Sequence, residues 1–414
     1  MTKIYQLFLA FIAAAFIITF LSLIGNAGVY LLTCAPKGMD FLAFFTGAYL
    51  LFHSSTQLYD LHSQIISQQH ILPISKDTHV FLPFINPPFV TIIFAPFIHL
   101  GVINAYLSWL IINSLLFTII CFLGYRQISE HKLSIKIIFI ICTITFIPIL
   151  TALLIGQLSI LLSLILLLSW IFSKKKWDFG SGLMLSLLLI KPHFFLVPFL
   201  AVLVQRRRKL TLGLLSGAAI LIALSYALVG PNGIASYIQT LMRTSQNDPI
   251  YGVDLMSQHS IQTALLILFH TQSVHLIQLP WILLDLCLIL PLLFVWNKQR
   301  SPNSVQFSLQ WIMLILITLL TSPHTHFHDL SFLIVAAIIV LSLSNKLKKK
   351  LRNTLFSLLL LGYAIQLIGY IADVQTHGAT QSAWIMGNVV YILIFLSILW
   401  KNLGINLKHI NHKT

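Results

Sequence analysis

Charged residues are scarce in this 414-residue chain, where Asp, Glu, Lys and Arg together make up 8% and hydrophobic residues make up 58%. A soluble globular domain carries about 25% charged residues, so the composition excludes that class. The apolar residues come in long unbroken runs, such as residues 4–32, and not in short alternating segments. Runs of that length cross a bilayer as helices. The sequence therefore predicts an all-α polytopic membrane protein.

Cysteine and acidic residues are also few. The four cysteines are scattered and form neither a disulfide framework nor a zinc-type spacing. We expect no metal and no cofactor. Only 10 residues are acidic, and the single glutamate, Glu130, falls in a cytoplasmic loop on the topology that follows. Acid–base chemistry on the other face must then use an aspartate or a histidine.

Basic residues, 25 against 10 acidic ones, gather in clusters separated by pairs of apolar segments. Cytoplasmic loops of membrane proteins collect Lys and Arg, so we interpret the surplus as a topology signal and expect no nucleic-acid partner. About 12 helices then cross the membrane, and both termini are cytoplasmic. The predicted spans are residues 4–32, 103–124, 135–151, 157–173, 178–190, 194–204, 211–229, 274–296, 305–320, 329–344, 353–371 and 383–400.

Two external segments are long enough to form a site, residues 34–88 and 231–260. The first has the apolar pattern of two juxtamembrane helices, over residues 40–53 and 60–70. An apolar stretch then runs to residue 100, and a re-entrant or surface-lying segment fits the topology there. We assign residues 1–345 to one transmembrane module and residues 346–414 to a C-terminal hairpin with a basic cytoplasmic tail.

Several short motifs follow one another in a characteristic order. They are Asp40-Phe41, Leu58-Tyr59-Asp60, Asn86-Pro87-Pro88, Gly156-Gln157, Lys191 and the eight residues from Ser322 to Asp329. Their order and spacing resemble glycosyltransferase family 87 of the GT-C superfamily, the polyprenyl-phosphate-mannose-dependent α-mannosyltransferases. The last motif of that family is usually Ser-Pro-x-Ser-Trp-x-His-His. This chain has Thr325, His326 and Asp329 where Ser, Trp and the second His would stand.

The resemblance implies a GT-C-like fold and an inverting, metal-independent transfer of a hexose, with mannose as the expected sugar. The donor would be a polyprenyl-phosphate-linked sugar, and the acceptor a glycolipid or glycan. The expected location is the extracytoplasmic face of the cytoplasmic (inner) membrane, whose lipids are further partners. A lipid-linked donor agrees with that location, because nucleotide sugars are confined to the cytoplasm. The module of residues 1–345 would be the catalytic one.

Asp40 stands where the first predicted span leaves the membrane, so its carboxylate can lie beside a lipid-borne phosphate. The resemblance assigns it the role of catalytic base, which removes the proton of the acceptor hydroxyl. Lys37 would help to keep it ionised. The alternative is an N-cap, because Asp before an apolar helical run caps helices well. That alternative is stronger for Asp60, which otherwise shapes the acceptor side together with Tyr59.

Lys191 is the only cation between residues 178 and 205, and the helix breaker Pro192 follows it. Its ammonium suits the phosphate of a polyprenyl-phosphate donor. A lysine that merely snorkels to the membrane surface has the same sequence pattern. Arg243 in the second external segment is a further candidate for the phosphate, or else a solvated cation.

Three histidines alternate in the last motif, at His324, His326 and His328. Alternate residues converge on a metal only along an extended strand, which disfavours a metal site. We expect His324 and His328 to contact the donor phosphate, or all three to be plain interfacial histidines. The expected acceptor or sugar pocket comprises Tyr59, Asp60, Asn86, Gln157, His326 and Asp329.

Asp285 lies in the middle of a predicted span. An intramembrane carboxylate is a functional candidate by default, and it favours an alternative function, a transporter or flippase of a lipid-linked or small polar substrate. The lack of a repeated half and of an intramembrane cationic partner disfavours that function. A third hypothesis is a catalytically silent lipid-binding or assembly protein on a GT-C scaffold.

Overall fold

The computed structural model describes residues 40–72, 81–128, 133–245 and 254–403. It is 85% helix, and no strand occurs in these ranges. The predicted all-α class is therefore confirmed. The predicted first span, Lys37, parts of both external segments and the basic tail lie outside the described residues.

Fifteen α-helices of eight residues or more follow one another in the described ranges. In chain order they are α1 (Asp40–Ser54), α2 (Leu61–Ile71), α3 (Gly101–Gln127), α4 (Leu133–Ile144), α5 (Ile147–Leu154), α6 (Ser159–Lys174), α7 (Asp178–Ser186), α8 (Pro192–Val204), α9 (Arg208–Ser245), α10 (Ile261–Leu268), α11 (Val274–Asn297), α12 (Val305–Thr321), α13 (Phe332–Leu343), α14 (Lys349–Gln375) and α15 (Gln381–Leu403).

Each predicted span within the described ranges coincides with a helix or a pair of helices. In this part of the chain six helical stretches are long and apolar enough to cross a membrane, and α4 with α5 forms a further pair bent by 42°. The apolar helices α6, α8 and α12, and α7 with the turn that extends it, are shorter than the roughly 20 residues of a full crossing. The chain is a polytopic membrane protein, and about 12 crossings remain a prediction.

Short helices form the centre of the bundle, and long helices surround it. Every residue of α12 from Phe307 to Thr321 is buried. In the most apolar stretch of Phe327–Lys346, which contains α13, 78% of the residues are buried, against 22% in those of α11 and α14. Exposed apolar faces on these long helices suit contact with lipid. The buried centre is therefore the part that can hold polar groups away from both lipid and water.

The first segment, residues 34–88, whose external location stays a prediction, contains the two helices that its pattern predicts, α1 and α2. Residues 88–100 form only short 3-10 and α-helical turns, which pack against α1, and α3 begins at Gly101 with a φ of 70°. The second external segment begins as a helix, because α9 continues past a break at Gly230, where φ is 66°. Tyr237 of this continuation lies against Tyr59 of the first segment, with ring centroids 5.2 Å apart.

Glycines allow α7 and α9 to pack backbone against backbone. A Cβ atom at Gly182 would clash with the carbonyl oxygen of Leu210, and one at Gly213 with that of Phe179. Small residues let membrane helices approach closely, and the spacing of Gly213 and Gly217 is the one common in such interfaces. This contact holds α7, which leads to Lys191.

Candidate active site

The turn between α5 and α6 holds the carboxylate of Asp40. Gln157 Nε2 donates a hydrogen bond of 2.5 Å to Asp40 Oδ2, and Phe41 N donates to Ile155 O at 3.1 Å. Gly156 has a φ of 72°, and a Cβ atom there would lie 2.7 Å from Phe41 Cβ. Glycine alone fits both the left-handed backbone and this approach. The Gly156-Gln157 motif therefore lets the start of α1 pack against this turn, and it orients the carboxylate of Asp40.

Two side chains of α3 hold the same turn. Trp109 Nε1 donates to Gly156 O at 2.8 Å, and Asn113 Nδ2 donates to Gln157 O at 3.1 Å. Both side chains are buried. Sequence reasoning missed them, because a tryptophan and an asparagine within an apolar run carry no signal of their own. They make the position of Gln157 depend on α3.

Asp40 and Asp60 differ in environment. Burial raises the pKa of the half-buried Asp40 carboxyl, and the hydrogen bond from Gln157 opposes that shift. Among the described residues, no backbone N–H donates to the Asp40 side chain. Asp60, which is exposed, accepts a hydrogen bond of 2.8 Å from Ser63 N and caps α2, and hydrogen bonds from Ser63 lower the pKa of its carboxyl. The structure thus shows the capping role at Asp60.

A buried ion pair lies close to Gln157. Lys191 Nζ is 2.7 Å from Asp329 Oδ1, and the two side chains are 9% and 0% exposed. Ser159 Oγ donates to the same oxygen at 2.5 Å, and His326 N donates to Asp329 Oδ2 at 3.1 Å. Both carboxylate oxygens are therefore occupied, as burial of a charge requires. Ser159 stands two residues after Gln157, so the pair and Asp40 share one turn.

A break between helices places Lys191 at this point. A 3-10 turn ends at Ile190, Pro192 begins α8, and Lys191 between them has an extended backbone with a φ of −125°. Asn86 Nδ2 donates to Ile190 O at 3.0 Å, and Tyr59 OH donates to Asn86 O at 2.7 Å. Two motifs of the first external segment therefore brace the break that positions the lysine.

Two histidines of the last motif, His326 and His328, contact the ion pair. His328 Nε2 lies 3.4 Å from Lys191 Nζ and 3.5 Å from Asp329 Oδ2, and the rings of His326 and His328 stack with centroids 5.4 Å apart. Burial lowers the pKa of His326, and it lowers that of His324 to about 4. Burial thus disfavours the charged form of both rings, which can supply polar contacts to the site.

Sequence reasoning missed three further polar residues here, Ser159, His193 and His259. The ring of His193 lies 5.8 Å from that of His324, and His259 N donates to Thr325 O at 2.7 Å. The first two stand within two residues of recognised motifs, a signal that could have found them. His259 has no such signal, since its partner lies far along the chain.

The C-terminal hairpin packs against the last motif. His259 Nδ1 lies 2.9 Å from Asn388 Nδ2, and Gln366 Nε2 donates to Asn388 Oδ1. The rings of Trp384 and Phe327 have centroids 4.4 Å apart. The hairpin of residues 346–403 therefore contacts the last motif directly through Phe327 and indirectly through His259.

Two other candidates do not join this cluster. Arg243 is exposed near the end of α9, and in the described ranges no hydrogen bond or ion pair links it to Lys191 or Asp40. Asp285 is half-buried on α11 and contacts Trp281, one turn earlier on the same helix. No Lys or Arg in the described part of the chain pairs with it. A charge relay of the kind that transporters use needs a cationic partner for Asp285, and the described residues supply none.

Comparison with known proteins agrees with the motifs. The sequence model of glycosyltransferase family 87 matches residues 84–323, which is more than half of the chain and confirms the resemblance. The matched range contains Asn86, Gln157 and Lys191, and it leaves out Asp40 and Asp329. No curated protein and no solved structure matches the chain.

Proposed function

Because the chain belongs to glycosyltransferase family 87, we propose that it transfers a hexose, with mannose as the expected sugar, from a polyprenyl-phosphate donor to a glycolipid or glycan acceptor. The transfer inverts the anomeric centre and takes place on the extracytoplasmic face of the inner membrane. The observation that carries this proposal is an oriented carboxylate, Asp40, beside a buried ion pair that contains Lys191.

Asp40 is the proposed general base. Gln157 occupies Oδ2, while no group within the described ranges bonds to Oδ1, which can accept the proton of an acceptor hydroxyl. A carboxyl whose pKa is raised by burial is a stronger base when ionised. The acceptor oxygen attacks the anomeric carbon from the face opposite the phosphate, and this inverts the configuration. Asp329 is a poor candidate for this role because both of its oxygens are already occupied.

Lys191 is the proposed counter-charge for the leaving phosphate. When the bond between the anomeric carbon and the phosphate oxygen breaks, its electron pair stays on that oxygen, and the phosphate gains one negative charge. An ammonium has three N–H donors, and the structure directs one to Asp329 and another toward His328. The third can contact a phosphate oxygen in this buried setting, where a fixed positive charge has a large effect.

Asp329 is the proposed partner that balances the charge of Lys191. Burying a charge without an opposite charge beside it is unfavourable. The carboxylate at 2.7 Å offsets the cost of burial for the ammonium. The departure of this chain from the usual last motif then has a physical role, since the aspartate that stands in place of the motif's second histidine pairs with the proposed phosphate-binding lysine.

The positions of the turns rich in Lys and Arg support a site on the extracytoplasmic face of the membrane. The site lies where α6 and α8 begin, whereas Lys174–Lys176 and residues 206–209 lie at or just beyond the opposite ends of these two short helices. Loops rich in Lys and Arg are typically cytoplasmic. The site then opens to a compartment without nucleotide sugars, and the sugar must arrive on a lipid.

The test is sugar transfer by Asp40→Asn in proteoliposomes that contain polyprenyl-phosphate mannose and membrane-extracted glycolipid acceptor. Asparagine keeps the shape of the side chain and its contact with Gln157 but removes the base, so transfer should fall by about 10² or more. Asp60→Asn is the matched control, because asparagine caps helices as well as aspartate. Its rate should stay within about twofold of wild type.

Three outcomes would contradict the proposal. Near wild-type transfer by Asp40→Asn would remove Asp40 as the base. Equal loss in Asp40→Asn and Asp60→Asn would mean that both aspartates act by holding the external segment in place. Wild-type protein that moves the intact lipid-linked sugar across the bilayer, and transfers none of it, would support the flippase alternative.

A further inference from the structure

A polar cavity lies near the ends of the central helices that are opposite to the candidate active site. It has a volume of about 260 Å³ and is lined by Lys176, Asp178, Arg207, Gln299, Arg300 and Pro302, a set that we call the basic pocket. The pocket is built by three turns, which join α6 to α7, α8 to α9 and α11 to α12. Along α6, Ser159 and Lys174 are about 22 Å apart at 1.5 Å per residue, so the basic pocket is separate from the active site.

Positive charge exceeds negative charge in the basic pocket. Arg207 Nε donates to Asp178 Oδ2 at 3.0 Å, and its Nη1 donates to Ser173 Oγ at 2.8 Å, so the charges of this pair cancel. Lys176 and Arg300 have no ion-pair partner among the described residues. Two uncompensated cations therefore face one cavity from two different turns.

One donor in the basic pocket has no acceptor. The Nε atom of Arg300 is buried, and nothing in the described part of the chain accepts a hydrogen bond from it. A buried N–H of a charged group without a partner is unfavourable. An anion bound in the pocket would supply the missing acceptor.

The backbone at Lys176 is a second, independent indication. Lys176 follows the end of α6 with a φ of 63°, a left-handed conformation in which glycine is the usual residue. A side chain in this conformation is strained. Keeping a lysine where glycine would be more stable indicates that its ammonium has a use in the basic pocket.

Aromatic side chains place the basic pocket at the membrane surface. Trp177 and Phe179 flank it in the chain, and they are 55% and 42% exposed. Exposed aromatic residues of this kind are enriched at the level of lipid headgroups. The ligand of the pocket should then be part of the membrane.

We infer that the basic pocket binds the phosphate of an anionic phospholipid headgroup between Lys176 and Arg300. Basic pockets between membrane helices recognise such headgroups through their phosphate oxygens. The guanidinium of Arg300 matches the geometry of a phosphate, and Lys176 adds a second charge. This site does not depend on sugar transfer, and it lies at the other end of the helices.

The test is native mass spectrometry of the full-length protein in detergent, titrated with dioleoyl phosphatidylglycerol. Wild type should retain one lipid, and Lys176→Gly and Arg300→Gln should each weaken its binding about fivefold, the effect of one cation near a headgroup. Lys176→Gly relieves the backbone, so its melting temperature without lipid should not fall. Lys350→Gln, which removes an exposed cation from the start of α14, is the matched control and should bind as wild type does.

Three results would overturn the lipid site. The first is an equal loss of lipid in Lys350→Gln, which would mean unspecific attraction to a basic surface. The second is unchanged binding in both pocket variants. The third is binding that does not require an anionic lipid, seen either as dioleoyl phosphatidylcholine bound as tightly as phosphatidylglycerol or as complete displacement of the lipid by an equimolar amount of inorganic phosphate.

Discussion

Basic side chains lie near both ends of α6. At one end the lysine is ion-paired, and beyond the other end two cations have no ion-pair partner among the described residues. At its beginning, Ser159 contacts Asp329, whose partner Lys191 is buried and directly paired. Beyond its end, Lys176 and Arg300 face a cavity without an ion-pair partner among the described residues. The ion pair at the active-site end has no net charge, whereas the basic pocket presents two positive charges.

Access to water explains the difference. Burying an unpaired charge costs several kcal/mol, so the enclosed end must hold its lysine with a carboxylate. At the open end, water and counter-ions screen the exposed ammonium of Lys176, so pairing it gains little, whereas the buried Nε of Arg300 still lacks an acceptor among the described residues. Chemistry on a sugar needs charges fixed in a dry place, where they act strongly on the transition state. Binding a headgroup needs only a local excess of charge.

The largest expected difference between the two ends is in stability. Asp329→Asn leaves the ammonium of Lys191 buried and unpaired, so it should lower the free energy of unfolding by about 3–5 kcal/mol. Asp178→Asn breaks the partly exposed pair with Arg207 and should cost about 1 kcal/mol. Unfolding of both variants in SDS titrations of mixed micelles measures the contrast.

A double variant sharpens this prediction. Lys191→Met combined with Asp329→Leu replaces the pair by apolar side chains of similar size and should recover most of the lost stability. It should still abolish sugar transfer, because the counter-charge is gone. Equal losses in Asp329→Asn and Asp178→Asn would show that the two ends do not differ in this way.

A smaller effect is expected from the turn that orients Gln157. Gly156→Ala must force a Cβ atom against Phe41 in a left-handed conformation, so it should cost about 2–4 kcal/mol and slow transfer. Gly230→Ala is the control, because Gly230 has a similar φ of 66° but no atom within 4 Å of its added Cβ. Its ψ of −175° is one that only glycine readily adopts at this φ, so the substitution should cost about 1–3 kcal/mol without any steric contribution. Matching losses would mean that contact with Phe41 does not matter.

The smallest expected effect is a difference in pH dependence between sugar transfer at the candidate active site and lipid binding in the basic pocket. Burial raises the pKa of Asp40, and the base works only when ionised, so transfer should fall as the pH drops through that raised pKa. This acid limb should lie above the roughly 3.9 of an exposed aspartate. Rate measurements from pH 4 to 8 locate it, and the limb should be the same in Asp60→Asn. Lipid binding in the basic pocket involves neither aspartate, so a shared acid limb would argue against two independent sites.

Local patterns predicted much of this molecule. The apolar pattern of residues 40–53 and 60–70 predicted α1 and α2, and the helices begin at Asp40 and Leu61. Such patterns predict helices because a helix forms its backbone hydrogen bonds within its own segment and does not depend on a distant partner. The Gly156-Gln157 motif indicated a site residue, but nothing local indicated that its amide would contact Asp40, 117 residues earlier.

The sequence by itself determined that the chain is a membrane protein, where its helices lie and which family it belongs to, since hydropathy and motif order are properties of neighbouring residues. Helix packing, and no local pattern, makes Asp329 the partner of Lys191 and brings Lys176 and Arg300 to one pocket. Each of these depends on surroundings in space. Lys191 and Asp329 are 138 residues apart, and only helix packing brings their charges within 2.7 Å.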